Sequence, residues 1–252
     1  MPLKNITPLL GAHVPASGGL HTAFAHAQSI GSNCMQIFTK SNRQWHAKKL
    51  AANEIEAFAQ AQQNFKITVI AHAAYIINLG SPNKETVHKS IQSLAQELSR
   101  CASLEIKYLV MHPGACLDSD RSLCIQQVGE NLDVAIELAD GPTMVLLENM
   151  AGQGSVIGKS FEELAAIRKH AKHKKKIGFC LDTCHAFASG YNFISEAGYV
   201  DMMIHLDNTL GIEHLKAIHF NDSEKPCGSL VDRHAQIGKG HLGLNTFSFF
   251  YE

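Results

Sequence analysis

Short apolar runs that finish on a polar, ligand-type residue recur along this chain, and a segment of helical periodicity follows each of them. Val69-Ile-Ala-His72, Tyr108-Leu-Val-Met-His112, Met144-Val-Leu-Leu-Glu148, Ile177-Gly-Phe-Cys-Leu-Asp182 and Leu215-Lys-Ala-Ile-His219 share this form. Leu9 to Val14 and Asn33 to Phe38 supply two earlier strand candidates, which makes seven. Between and after them the pattern predicts helices over residues 20–30, 53–65 with Asn53 as cap, 84–104, 123–138, 161–171 and 194–210, and the start of one from Leu244. Strand alternating with helix is the pattern of βα units around a parallel sheet. The distance from strand end to strand end is 34 residues from Phe38 to His72, then 40, 36, 34 and 37. That regularity favours an α/β barrel over a doubly wound sheet. An eighth strand is not found, so the expectation is a barrel whose first and seventh strands keep unpaired edges.

Composition narrows this picture without redirecting it. A chain of 252 residues is the usual length of one α/β barrel domain, so residues 1–252 are expected to form a single, C-terminally incomplete domain. The 22 basic and 23 acidic residues nearly cancel, which excludes a generally cationic nucleic-acid binder but not a local basic surface. Seven Cys without CxxC spacing read as thiols of a reducing compartment. No apolar leader follows Met1-Pro-Leu-Lys-Asn and no stretch approaches membrane-span length, so a cytoplasmic protein is expected. The 15 His are the unusual count.

Those histidines change the reading when placed on the strands. In a parallel barrel all strand C-termini open on one face, so His72, His112, Glu148, Asp182, His185 and His219 are expected to converge there, joined by Asp232 and His234 from the last polar loop. Any one of them alone would be read as a packed histidine or a surface acid. Eight N and O donors together are too many for one ion and suit two or three that share a bridging carboxylate, with zinc favoured and manganese acceptable. Cys184, between Asp182 and His185, is expected to be a packed thiol. The loop after Phe38 carries Arg43 and the single Trp, Trp45, which packing and ligand contact explain equally well. Tyr75, Ile76 and Ile77 follow His72 and read either as core or as wedges of the kind that enter a DNA base stack. The glycine-rich loop 149–158 lacks the phosphate-loop spacing GxxxxGK[ST] and is expected to let backbone pass close to the site. The basic cluster 170–176 precedes the sixth strand and is expected to be solvated surface at the opposite end.

Taken together, Gly11-Ala-His-Val, Phe38-Thr-Lys-Ser-Asn-Arg-Gln-Trp, His72-Ala-Ala-Tyr-Ile-Ile-Asn-Leu, His112-Pro-Gly, Glu148-Asn-Met-Ala-Gly-Gln-Gly, Leu181-Asp-Thr-Cys-His-Ala-Phe-Ala-Ser-Gly-Tyr, His219-Phe-Asn-Asp-Ser and Asp232-Arg-His resemble the endonuclease IV family of apurinic/apyrimidinic endonucleases. The resemblance runs from Gly11 to about Gly243. It implies a TIM (β/α)8-type barrel that hydrolyses the phosphodiester 5′ to an abasic site in duplex DNA by zinc-activated hydroxide. The products would be a 3′ hydroxyl and a 5′ deoxyribose phosphate, and blocked 3′ ends would be cleaned as well. Three zinc ions are implied: one on His72, His112 and Glu148, a second on Glu148 as bridge with Asp182 and His219, and a third on His185, Asp232 and His234. The resemblance also assigns Arg43, Tyr75 and Ile76 to the duplex at the lesion.

Four departures from the family pattern stand out. Ala74 replaces a proline, Ala115 a serine and Leu230 an arginine, and the family's closing strand with its metal-binding glutamate is not matched, a part that Glu252 is not assigned. A weakened second metal is therefore expected, in a monomer unless the open edge promotes association. Two other readings remain at this point: a metal-dependent sugar isomerase or epimerase on a similar barrel, and a truncated, catalytically impaired relic that binds DNA or zinc.

Overall fold

The computed structural model describes residues 8–251. The leader reading of Met1-Pro-Leu-Lys-Asn and the position of Glu252 lie outside the described residues. Seven parallel strands form one curled sheet in strictly sequential order: β1 Gly11–His13, β2 Cys34–Ile37, β3 Thr68–His72, β4 Tyr108–Met111, β5 Met144–Glu148, β6 Ile177–Asp182 and β7 Leu215–His219. Helices alternate with the strands: α1 Ala23–Ser29, α2 Ala52–Phe65, α3 Lys84–Ser103, α4 Arg121–Ala139, α5 Phe161–His170, α6 Thr183–Ser189, which is buried at the end of β6, α7 Glu196–Leu210 and α8 Leu244–Ser248, which borders the cleft. This is the TIM-barrel arrangement expected from the spacing. Among the described residues no strand joins β1 to β7, and a cleft of about 1310 Å³ runs between those edges toward the strand C-termini. No helix among them is long and apolar enough to cross a membrane.

The strands sort their side chains by parity, because successive residues of a strand face opposite sides. On β3, β5 and β6 the outward set, Val69, Ala71, Val145, Leu147, Phe179 and Leu181, belongs to the main core beneath the helices. The inward set forms a small second cluster of Val110, Leu146 and Cys180 with Ile70, Tyr108, Met144 and Ala217 around it. One step further along each strand the same parity delivers His72, His112, Glu148, Asp182 and His219. An apolar plug thus lies directly under the polar end.

Two local expectations are corrected. Asn53 is not the cap of α2: the helix is entered through Ala51, whose N–H donates to the Glu54 carboxylate at 2.8 Å. Between β6 and the helix expected from 194, where the pattern predicts none, Thr183–Ser189 form a helix, since the Asp182 carboxylate accepts the His185 N–H at 2.8 Å and caps α6. The other caps follow the usual chemistry, with Asn83, Asp120, Ser160 and Ser195 each accepting a first-turn N–H. The basic cluster does precede β6 but is more than solvated charge. Asp133 accepts the Lys172 and His173 N–H groups, and the Lys176 ammonium donates to the Gly141 carbonyl at 2.8 Å.

Candidate metal centre

All eight expected donors meet at the strand C-termini. Glu148 is the hub: Oε2 lies 3.1 Å from His72 Nε2 and 3.4 Å from His112 Nε2, while Oε1 lies 2.9 Å from His219 Nδ1 and 3.5 Å from His185 Nδ1. Asp182 Oδ2 stands 4.0 Å from His219 Nδ1 and 3.9 Å from His234 Nε2. Asp232 bridges His185 Nε2 and His234 Nε2, each at 3.2 Å. Three sets could each hold a cation with donor atoms within 4.8 Å of one another: His72 with His112 and Glu148, Glu148 with Asp182 and His185, and His185 with Asp232 and His234. Cys184 also lies near Asp182 and His234, but burial pushes its thiol up to about 12 and its sulfur rests 3.6 Å from the Arg233 carbonyl. It is the packed thiol expected.

The imidazole tautomers show that the set fits metal ions. A carbonyl oxygen can only accept, so the ring nitrogen facing one must carry the proton. His72 Nδ1–H donates to the Ala73 carbonyl at 2.7 Å, and His185 Nδ1–H to the Asn149 carbonyl at 2.8 Å. His219 Nε2–H donates to the Gln36 amide oxygen at 2.9 Å. In each ring the remaining nitrogen then presents a lone pair to carboxylate oxygens, and acceptor facing acceptor requires a cation or a proton between them. In the metal-free chain protons meet that need at His185 and His219, whereas burial holds His72 below the usual histidine value, so its lone pair is the one left facing Glu148. Burial opposes charge on His185, but Asp182 and Asp232 raise it to about 10. Burial likewise opposes charge on His219, yet the Cys180 sulfur and Glu148 carboxylate hold it well above the usual histidine value. Burial would raise Glu148, and the imidazoles of His219 and His112 reverse this, holding it well below the carboxylate range. Hydrogen bonds from His185 and His234 do the same to Asp232.

Two buried carboxylates outside this set shape the rim. Asp222, wholly buried, accepts five backbone N–H groups: Ser223 and Leu242 on Oδ1 at 2.8 and 2.9 Å, and Gly238, Gly240 and Gly243 on Oδ2 at 2.9, 2.9 and 3.3 Å. It thereby pins the last loop beneath a short hairpin, β8 Asp222–Ser223 paired with β9 His234–Ala235, which carries His234. Gln153, in the glycine-rich loop, accepts the Asp232 N–H at 3.0 Å, and Gly158 at φ +88° lets that loop close on Pro113, which a Cβ would approach to 2.9 Å. Glu97 of α3 is the second. Its Oε1 accepts the Ala74 N–H at 3.1 Å and pairs with the Lys40 ammonium at 3.2 Å, both side chains being about 1% exposed. Lys40 also donates to the Gln44 carbonyl, and Arg100 of α3 holds the Thr39 and Lys48 carbonyls. The loops that carry Arg43 and Tyr75 are therefore fastened to one helix.

Of the three residues expected at DNA, only Tyr75 lines the cleft, with its ring 5.4 Å from that of His112 and nearly parallel to it. Tyr75 is more than half exposed. Ile76 is half-buried against the core, and Ile77 is buried in it. Arg43 is exposed on its loop, and the half-buried Trp45 is not part of the cleft wall. Leu230, where the family pattern has arginine, adopts φ +56° and is 40% exposed. Sequence reasoning did not single out Gln36, Asp222 or Glu97. Gln36 carried a usable signal, since it shares the inward parity of the other strand-end donors.

Residues 24–250 match the family described as xylose isomerase-like TIM barrel. The probable endonuclease 4 of Chloroflexus aurantiacus is 43% identical over 242 residues, which span 95% of this chain and 85% of the relative. That of Protochlamydia amoebophila is 38% identical, with 96% and 86% covered. Among solved structures, endonuclease IV from Thermus thermophilus superposes with a TM-score of 0.84 at 33% identity, covering 96% of this chain and 87% of that one. A D-tagatose 3-epimerase-like protein matches at a TM-score of 0.72 with 19% identity, covering 96% and 87%. The latter likeness is one of fold.

Proposed function

Because this chain belongs to the endonuclease IV family of xylose isomerase-like TIM barrels, we propose that its cleft hydrolyses the phosphodiester 5′ to abasic sites in duplex DNA. The observation that carries the reading is the ring of eight donors whose imidazole lone pairs are turned onto Glu148, Asp182 and Asp232. A sugar epimerase needs a base and an acid beside one or two metals, and it does not call for so large a donor set. Zinc is the ion we assign, three per chain: on His72, His112 and Glu148; on Glu148, Asp182 and His219; and on His185, Asp232 and His234. When bound, these ions supply Lewis acidity toward the phosphate and a nucleophile at neutral pH.

The chain's own residues do the remaining work. Glu148, with one oxygen toward His72 and the other toward His219, would be the carboxylate shared between two of the ions. Tyr75 presents an exposed ring at the cleft mouth where it stacks in the gap left by the missing base, with Ile76 supporting it from the core side. Arg43, exposed on the neighbouring loop, binds backbone phosphate. The products are a 3′ hydroxyl and a 5′ deoxyribose phosphate, and the same site removes blocked 3′ ends.

The test combines elemental analysis of the purified protein with cleavage of an abasic duplex in the presence and absence of chelator. His112→Ala is expected to reduce cleavage by orders of magnitude while altering duplex affinity much less. Full activity in chelator from a protein without zinc or manganese would overturn the proposal, and turnover of ketoses instead of DNA would favour the epimerase reading.

A further inference from the structure

Gln36 is a polar residue at the strand ends to which none of the roles above has been given. It lies on β2, is buried, and faces the barrel interior by the same parity that places His72 and His219 there. Its amide is used at both ends. The oxygen accepts His219 Nε2–H at 2.9 Å, and the nitrogen donates to His13 Nδ1 at 3.1 Å. His13 is set in turn against the Phe38 ring, centroid to centroid 4.4 Å. The three groups come from β1, β2 and β7, and β1 and β7 are the strands left unpaired to one another.

We propose that Gln36 is a positioning residue for the metal centre: it fixes the proton of His219 on Nε2 and so turns the Nδ1 lone pair onto Glu148 and Asp182. The inference rests on the metal-centre reading above. An amide does what a hydroxyl or an apolar side chain could not. Its two ends are chemically different, and with the nitrogen end set on His13 Nδ1 the oxygen end is the one turned to His219. A ring fixed in this way needs no reorientation when an ion binds. Residues that orient a ligand through its second nitrogen commonly contribute about 10- to 100-fold to metal affinity. His219 lacks the backbone carbonyl that does this for His72 and His185. It stands on an edge strand, and the fastener reaches it across the cleft instead.

The experiment compares wild type with Gln36→Met, which keeps length and removes the acceptor, and Gln36→Glu, which keeps the acceptor. Zinc is titrated against a competing chelator, and the imidazole nitrogens are followed by NMR in 15N-histidine protein, with His219 assigned by the signal lost in His219→Asn. The expected result is that one zinc binds at least 10-fold more weakly in Gln36→Met, with the His219 Nε2–H signal lost. The other zincs should be unchanged, and Gln36→Glu should keep both the ion and the signal. Unchanged zinc affinity in Gln36→Met, or loss of the His219 signal in Gln36→Glu as well, would overturn the proposal. Absence of zinc binding by the wild type would instead overturn the metal-centre reading from which it starts.

Discussion

Replacing Asp222 by Asn is the most direct perturbation of the last loop, because it preserves shape and removes only one acceptor and the charge. The carboxylate takes two N–H groups on one oxygen and three on the other. Whichever way the Asn amide turns, its NH2 must face at least two backbone donors. Hydrogen bonds to a charged group contribute about 1.5–3 kcal/mol each, and a buried donor left unpaired costs a similar amount. Gly238 is exposed and can turn to water, which brings the net loss to about 3 kcal/mol, near the lower end for two bonds. For a chain of this size that corresponds to a midpoint lowered by about 6–12 °C in scanning calorimetry. The loosened hairpin should also release the zinc assigned to His185, Asp232 and His234 before the others, as elemental analysis after mild chelation will show. Gly240→Ala offers an independent check, since its Cβ would lie 2.4 Å from the Ser223 carbonyl oxygen and 2.5 Å from Asp222 Oδ1. If Asp222→Asn melts within a degree of wild type and holds its metal equally well, the carboxylate is not the anchor.

Three further outcomes are expected. Glu97→Gln strands the buried Lys40 ammonium and should cost about 3 kcal/mol by urea unfolding, most of which Lys40→Met should restore in the double variant; equal stability of all three would refute the pairing. That double variant, stable but with its loops unfastened, should show a raised KM for abasic duplex at unchanged kcat, and Tyr75→Ala with Ile76→Ala should also lower preference for abasic over intact DNA without altering zinc content. In metal-free protein, His185 is raised to about 10, so its stabilisation is complete below pH 6.5 and declines as pH rises toward 10; the thermal midpoint should therefore fall between pH 6.5 and 8.5, whereas a flat profile there would refute the assignment.

The strands and the eight donors were legible because both follow from short-range regularities. A strand's parity is set by its own backbone, so an apolar run ending in His or Glu announces its inward position without reference to the rest of the chain. Boundaries near caps were less legible. Ala51 enters α2 where Asn53 looked the better cap, because Glu54 reaches back to satisfy the first N–H. Asp182 looked like the end of a strand but is also the cap of a helix. Gln36, Glu97 and Asp222 escaped notice because their partners are distant in sequence: His219 for Gln36, Lys40 and Ala74 for Glu97, residues 238–243 for Asp222. Buried polar pairing of this kind leaves no periodic trace. The placement of Tyr75 at the cleft and Ile77 in the core separated two residues that composition could not tell apart.

The unequal burial of the strands has a kinetic consequence. Every residue of β6 is buried, whereas all three of β1 are exposed and β7 is only half-covered. Amide hydrogens should therefore exchange with solvent slowest in β5 and β6, on the timescale of global opening, and fastest in β1 and β7, which can fray without unfolding the rest. Glu148 and Asp182 ride on the slow strands, and His219 rides on a fast one. An ion held by them as proposed would tie a fraying edge to the most protected part of the chain, so adding zinc should slow exchange in β7 far more than in β5.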